Sequence, residues 1–275
     1  MVVAILAGCG ADDPEQSDVP GNAGATDEGL AHIHGLGVRN GNLYIATHYG
    51  LWIAPNGQVK SKRFSESRQD IMGFSQISAK RFIGSGHPDP ADRDQPPNLG
   101  LIESRDGGRT WKNISLLGEA DFHAIEAAGD RIYGVNSADG QLFASTDGGR
   151  KWQKHTPPAG VFGLAIDPRD PDRIVASTEN GVFASPNSGR GWRPLRTDVG
   201  GLLAWPRADA LYLLGGDGGI QVSRDGGREW KGTGNVGGQP AAFFATGDEL
   251  YAALHDGTVK ASTDGGANWT LRATP

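Results

Sequence analysis

Three features of the sequence predict an all-β chain made of six repeated four-stranded units. The first is a recurring Ser-x-Asp-x-Gly-x-x-Trp box. Ser104, Asp106, Gly108 and Trp111 are followed by Ser145, Asp147, Gly149 and Trp152, then by Ser185, Asn187, Gly189 and Trp192. Ser223, Asp225, Gly227 and Trp230 form the next copy, and Ser262, Asp264, Gly266 and Trp269 the last. Successive serines are 41, 40, 38 and 39 residues apart, a period of stacked or circular repeats. The second feature is an eroded sixth copy, in which Gly50 to Asn56 aligns with Gly181 to Asn187. The third is a pair of short apolar runs ahead of each box.

These runs define the elements in order. An inner strand A, such as 34–38 or 162–166, precedes a strand B such as Leu43 to Ala46, Arg131 to Gly134 or Leu250 to Ala253. Strand C leads into the box, and strand D begins near its Trp. Four antiparallel strands in each of six units describe a six-bladed β-propeller over residues 31–275, which leaves only short sheet edges. The box residues are assigned structural roles. The Asp accepts from turn amides, the Gly takes a positive φ and the Trp packs between sheets. Thr270 to Ala273 reads as an ordinary D strand, so nothing in the sequence marks how the ring closes.

The composition excludes several classes. One cysteine among 275 residues rules out an internal disulfide framework and a thiolate zinc cluster. A net charge of −6 argues against nucleic acid as a partner. No run of 18 or more apolar residues is present, so no membrane-spanning helix is expected. The glycine-rich stretch Gly215 to Gly219 is a B–C turn with no helix after it, so no nucleotide or flavin cofactor is expected.

Residues 1–9 end in Leu6, Ala7, Gly8 and Cys9, which is similar to the bacterial lipobox and implies a signal peptide with Cys9 as the lipidated residue. No Lys or Arg precedes the apolar run, which leaves open a start upstream of Met1. Residues 10–30 hold six acids and no base, and are expected to form a disordered tether. Without those acids, 26 acids face 26 bases. The expected location is the cell envelope outside the cytoplasm, with the lipid as the membrane contact and the chain a monomer.

The repeat register places the histidines. The start of A and the end of B lie on one face, called the top, and the boxes lie on the other. His48, His87 and His255 end strand B in three blades, where Glu179 stands in a fourth. His34 and His123 share a position at the start of strand A. His32 lies two residues before His34 on the same strand face and aligns with Asp121. In the second blade that pair becomes Asp70 and Met72, and Met72 is assigned to the core. Only His155 falls elsewhere. Imidazole with carboxylate is ligand material for copper or zinc, and is also the material of acid–base catalysis. His32, His34, His48, His87, His123 and His255 are therefore the candidate metal ligands. Asp70, Asp121 and Glu179 are the candidate catalytic carboxylates, with Glu119 and Asp89 behind them. The long insertion 86–98 maps to the same face, where it is expected to cover the top.

The repeat region resembles a bacterial envelope family of Asp-box (BNR) proteins labelled sialidase-like glycosyl hydrolases. The resemblance rests on the box residues together with His32 to Gly37, Ala46 to His48, Met72 to Phe74, Ser85 to Pro90, Gly100 to Ser104 and Ala120 to Ala124. The fold is similar to that of sialidases, sortilin-type receptors and photosystem assembly factors. The label implies glycosidase activity, and in such an enzyme two of the carboxylates would serve as acid and base. The sialidase Arg-Ile-Pro motif is absent. Arg105, Arg109, Arg150, Arg190 and Arg228 sit in the boxes, leaving Arg68, Arg93 and Arg196 for the top. Three functions follow as expectations: a top site for a transition metal or small ligand, glycoside hydrolysis, or a protein-binding face.

Overall fold

The computed structural model describes residues 32–275, so the lipobox and the acidic tether lie outside the described residues. Blade 1 comprises β1 (Ile33–Arg39), β2 (Asn42–Thr47), β3 (Gly50–Ala54) and β4 (Lys62–Arg63); blade 2 comprises β5 (Asp70–Gln76), β6 (Phe82–His87), β7 (Leu101–Ser104) and β8 (Lys112–Ser115). Blade 3 holds β9 (Phe122–Ala128), β10 (Arg131–Asn136), β11 (Leu142–Ser145) and β12 (Gln153–His155); blade 4 holds β13 (Val161–Asp167), β14 (Asp170–Thr178), β15 (Gly181–Ser185) and β16 (Arg193–Arg196). Blade 5 runs through β17 (Gly201–Arg207), β18 (Ala210–Gly215), β19 (Gly219–Ser223) and β20 (Lys231–Asn235). Blade 6 runs through β21 (Pro240–Thr246), β22 (Glu249–Leu254), β23 (Val259–Ser262) and β24 (Thr270–Ala273).

Each blade is one antiparallel sheet with its strands in chain order. The inner strands pack side by side around the axis, and β21 against β1 completes the circle. The architecture is the six-bladed β-propeller that the repeat period predicts.

A blade is apolar on both faces, so it must bury each against a neighbour. Six hydrophobic clusters result, one at each seam. The box tryptophans belong to these seams. Trp111 packs between blades 1 and 2, Trp152 between 2 and 3, and Trp192 between 3 and 4. The Ser–Asp turns have one repeated wiring. Ser104 Oγ donates to Asp106 Oδ1 at 2.8 Å and accepts from Gly108 N at 2.7 Å. Asp106 Oδ1 also takes the amides of Arg109 and Thr110, both at 3.0 Å. The same bonds recur around Asp147, Asp225 and Asp264, and Asn187 substitutes for the carboxylate in blade 4. Gly149 shows why the box needs glycine: its φ is +83°, and a Cβ there would stand 2.0 Å from Leu101 Cδ2 of the preceding blade.

Among the described residues, ring closure uses no exchanged strand. Thr274 forms a parallel bridge beside Lys60, giving its amide to Val59 O at 2.9 Å and accepting from Ser61 N at 3.0 Å. Arg272 donates to the carbonyls of Gly41 at 2.7 Å, Gln58 at 3.0 Å and Ala54 at 3.1 Å. The seam thus sits beside the eroded box of blade 1, whose Ala54 carbonyl is among those that Arg272 caps.

Candidate functional site

The site is built from a bulge at the start of the inner strands. In blade 1 the β1–β2 register shifts between Ile33 and Gly35, so His34 is the extra residue. The same shift makes Met72 the extra residue of β5 and His123 that of β9. Phe162 and Ala241 are the extra residues of blades 4 and 6, whereas β17 pairs regularly at its start. A bulge re-aims one side chain out of the pleat. His34, Met72, His123, Phe162, Leu202 and Ala241 all line one central cavity of about 420 Å³. One half of the rim carries nitrogen and sulfur donors, and the other half is apolar.

The remaining top-face groups gather behind the donor half. His48, just beyond β2, meets His32 and His34 edge-on, with ring centroids 4.8 and 4.6 Å apart. His48 Nδ1 bonds Asp70 Oδ2 at 2.6 Å, and Asp70 pairs in register with His87. His87 Nδ1 donates to the Pro97 carbonyl at 2.8 Å, and its Nε2 stands 3.8 Å from Asp121 Oδ2. That same oxygen accepts from His123 Nε2 at 2.8 Å and from Ser137 Oγ at 2.9 Å. The backbone amide of Asp121 is itself held by Asn136 Oδ1 at 3.0 Å. A chain of contacts thus runs from His32 to His123 across three blades.

Electrostatics separates these groups. Burial, helped by the neighbouring histidines, pushes His34 down to about 4, so its ring is a neutral imidazole near pH 7. Burial also raises Asp70, against the opposing bond from His48. For Asp121 burial pulls upward, but the bonds from His123 and Ser137 outweigh it and hold the carboxyl below its ordinary range. The bond to Asp121 in turn raises His123.

The donor set fits a metal ion. His34, His48 and Asp70 each offer a ligand atom, all within 4.8 Å of one another. Ligands sharing one zinc at bonds of about 2.0–2.2 Å stand no more than about 4.4 Å apart, so a small side-chain adjustment brings the three into range. Moreover, His34 Nε2 and Asp70 Oδ1 are buried with no hydrogen-bond partner, as is Asp121 Oδ1. Buried polar atoms are ordinarily satisfied, so three orphans in one cluster fit a bound group.

Not every candidate joins. His255 is exposed and, among the described residues, its ring contacts none of the other histidines. Glu179 is exposed at the end of β14, beside Gly160, and Glu119 is exposed as well. Asp89 accepts from the amides of Arg68 and Ala91 and is a turn residue. The insertion 86–98 folds as successive turns beside His87, and apart from that contact it does not cover the mouth: none of its residues lines the cavity. No arginine is among the lining residues either. Met72, assigned to the core from sequence, is half-buried on the cavity wall. His155 stands in β12, away from the mouth.

Sequence reasoning missed Glu126, whose carboxyl lies below the rim on the cavity wall. Part of its surface faces the channel, yet protein surrounds it, and its one hydrogen bond is from Ser75 Oγ at 3.5 Å. Burial pushes it up to about 8. Its signal was an acid at an inward-facing strand position among alanines.

No protein-family model matches the chain. The Photosystem II assembly lipoprotein Ycf48 of Picosynechococcus sp. is 27% identical over 154 residues, 51% of this chain and 45% of that protein. A Neosartorya fischeri protein named "Probable oligoxyloglucan-reducing end-specific xyloglucanase" is 27% identical over 207 residues, 66% of this chain and 23% of that one. The chain therefore spans less than half the length of either curated relative. Among solved structures, one from a nidogen–laminin complex superposes with a TM-score of 0.66 at 16% identity, covering 85% of this chain and 93% of that one. These similarities place the chain among propellers of the kind found in assembly factors and xyloglucanases.

Proposed function

We propose that the mouth of this propeller binds a transition metal, copper or zinc, with His34, His48 and Asp70 as its ligands. His32, His87, His123 and Asp121 surround that set and orient it. The observation that carries this reading is the pair of buried, partnerless atoms His34 Nε2 and Asp70 Oδ1 beside the ring of His48. The ion would supply a positive charge and a site for exchangeable ligands; the chain supplies two imidazoles, a carboxylate and a half-enclosed mouth. With the lipobox-like Cys9, the reading is of a lipid-anchored metal-binding protein of the cell envelope.

The test is metal content by mass spectrometry on the full chain without a histidine tag, loaded with zinc or copper(II) and desalted. One retained ion per chain, lost in a His34→Ala, His48→Ala variant that keeps the wild-type circular dichroism, is the expected result. No retention, or equal retention by the variant, overturns the reading.

A second reading is glycoside hydrolysis. It is favoured by the two carboxylates at the mouth, Asp70 and Asp121, each with a buried oxygen free of partners, and by the xyloglucanase-named relative. Release of reducing ends from xyloglucan oligosaccharides, abolished in both Asp70→Asn and Asp121→Asn, would support it. No release by the wild type would dismiss xyloglucan as a substrate.

A further inference from the structure

The bulges set three donors side by side. His34, Met72 and His123 occupy the same position in consecutive blades, and their inner strands β1, β5 and β9 are direct neighbours. All three line the cavity, and none of the other rim residues, Phe162, Leu202 and Ala241, carries a donor atom. Met72 is not needed to fill the core. Its neighbours Ile71 and Phe74 are buried, 0% and 8% exposed, whereas Met72 itself is half-buried on an open wall. His34 Nε2 is without a partner. His123 gives Nε2 to Asp121, which leaves Nδ1 free on a ring whose tautomer the carboxylate fixes.

We propose that this half of the rim is a cuprous copper site, with His34, Met72 and His123 as its ligands. The inference rests on the reading of the mouth as a metal site and narrows it to a metal and an oxidation state. A thioether is a soft ligand that selects Cu(I), while imidazole suits both copper and zinc. Zinc takes imidazole and carboxylate besides thiolate; His34, His48 and Asp70 supply the first two, and Met72 supplies none of the three. The two ligand sets share His34. One chain therefore holds one ion, seated toward Met72 as Cu(I) or toward Asp70 as Zn(II) or Cu(II).

The sequence offers a direct test, because its two methionines are Met1 and Met72. The full chain is produced with selenomethionine, loaded with Cu(I) without oxygen, desalted and measured by copper K-edge absorption. A copper–selenium scattering shell is expected in the wild type and none in Met72→Leu, which keeps only Met1. Met72→Leu is further expected to lose Cu(I) to a chromophoric cuprous chelator about tenfold or more readily, the scale on which a lost ligand-sphere contact weakens metal binding. Its zinc retention should stay at the wild-type level, and His48→Ala should show the reverse pattern. A wild type that retains zinc but shows no copper–selenium shell, or a Met72→Leu variant that holds Cu(I) as tightly, overturns the inference and leaves the metal-site reading standing. A wild type that retains neither ion overturns both.

Discussion

Glu126 is a carboxyl that the fold keeps protonated. Its value rises from 4.5 to about 8 because the channel wall surrounds it and only Ser75 donates to it. Between these limits the folded chain holds a proton that the unfolded chain releases. Stability therefore falls as pH rises through that window and levels off above about 8. Glu126→Gln keeps the shape and removes the titration. Thermal unfolding should give nearly equal Tm values for variant and wild type near about pH 5. Near about pH 9 the variant should gain about 1–2 kcal/mol, or about 2–8 °C, the channel face of the residue tempering the effect. Equal Tm values at both pH values would show that the carboxyl ionises freely in the folded protein. His255 makes a different point at this scale. Register correctly placed it at a strand end on the top face, but register gives height along the axis and not the direction in which a side chain turns.

At the level of strands, the bulge and the residue after it act together. Gly35 follows His34, and a Cβ on it would stand 2.6 Å from Phe74 Cβ of the next blade; Gly73 follows Met72, and a Cβ there would stand 2.2 Å from the Phe122 carbonyl oxygen. The small residue lets adjacent inner strands close up, which brings the bulged side chains of successive blades together. Gly73→Ala meets backbone that cannot swing aside. It should cost about 1–3 kcal/mol and lower Tm by roughly 2–12 °C. Gly232→Ala, whose nearest neighbour would be Ile220 O at 4.0 Å, is the control and should leave Tm almost unchanged. The A and B strands and the Ser–Asp turns were legible in the sequence because alternation and turn chemistry are local. The bulges were not, since a bulge is a property of two strands and shows only when their pairing is counted. That is why His34 and His123 were matched with Met72 by position, yet Met72 was assigned to packing.

For the molecule as a whole, residues 272–274 fasten the seam at which β21 packs against β1. Arg272 satisfies carbonyls from Gly41, Ala54 and Gln58, so Arg272→Met removes the guanidinium while keeping most of its apolar stem. The loss should be about 1–3 kcal/mol, read as a lower urea midpoint with an unchanged slope. A lower slope would mean that the blades no longer unfold as one unit. This seam is not legible in the sequence because it joins residues 213 apart, Ser61 to Thr274, and no local pattern marks a pairing at that separation.

The position of that seam also sets an order of events during synthesis. Every donor at the mouth, from His32 to His123, is made before blade 4 begins. Thr274 follows the last strand of blade 6. The histidine corner thus lies wholly on three blades, while the circle closes only with blade 6. A ligand of that corner supplied to a growing chain would reach it before there is a closed mouth to pass through.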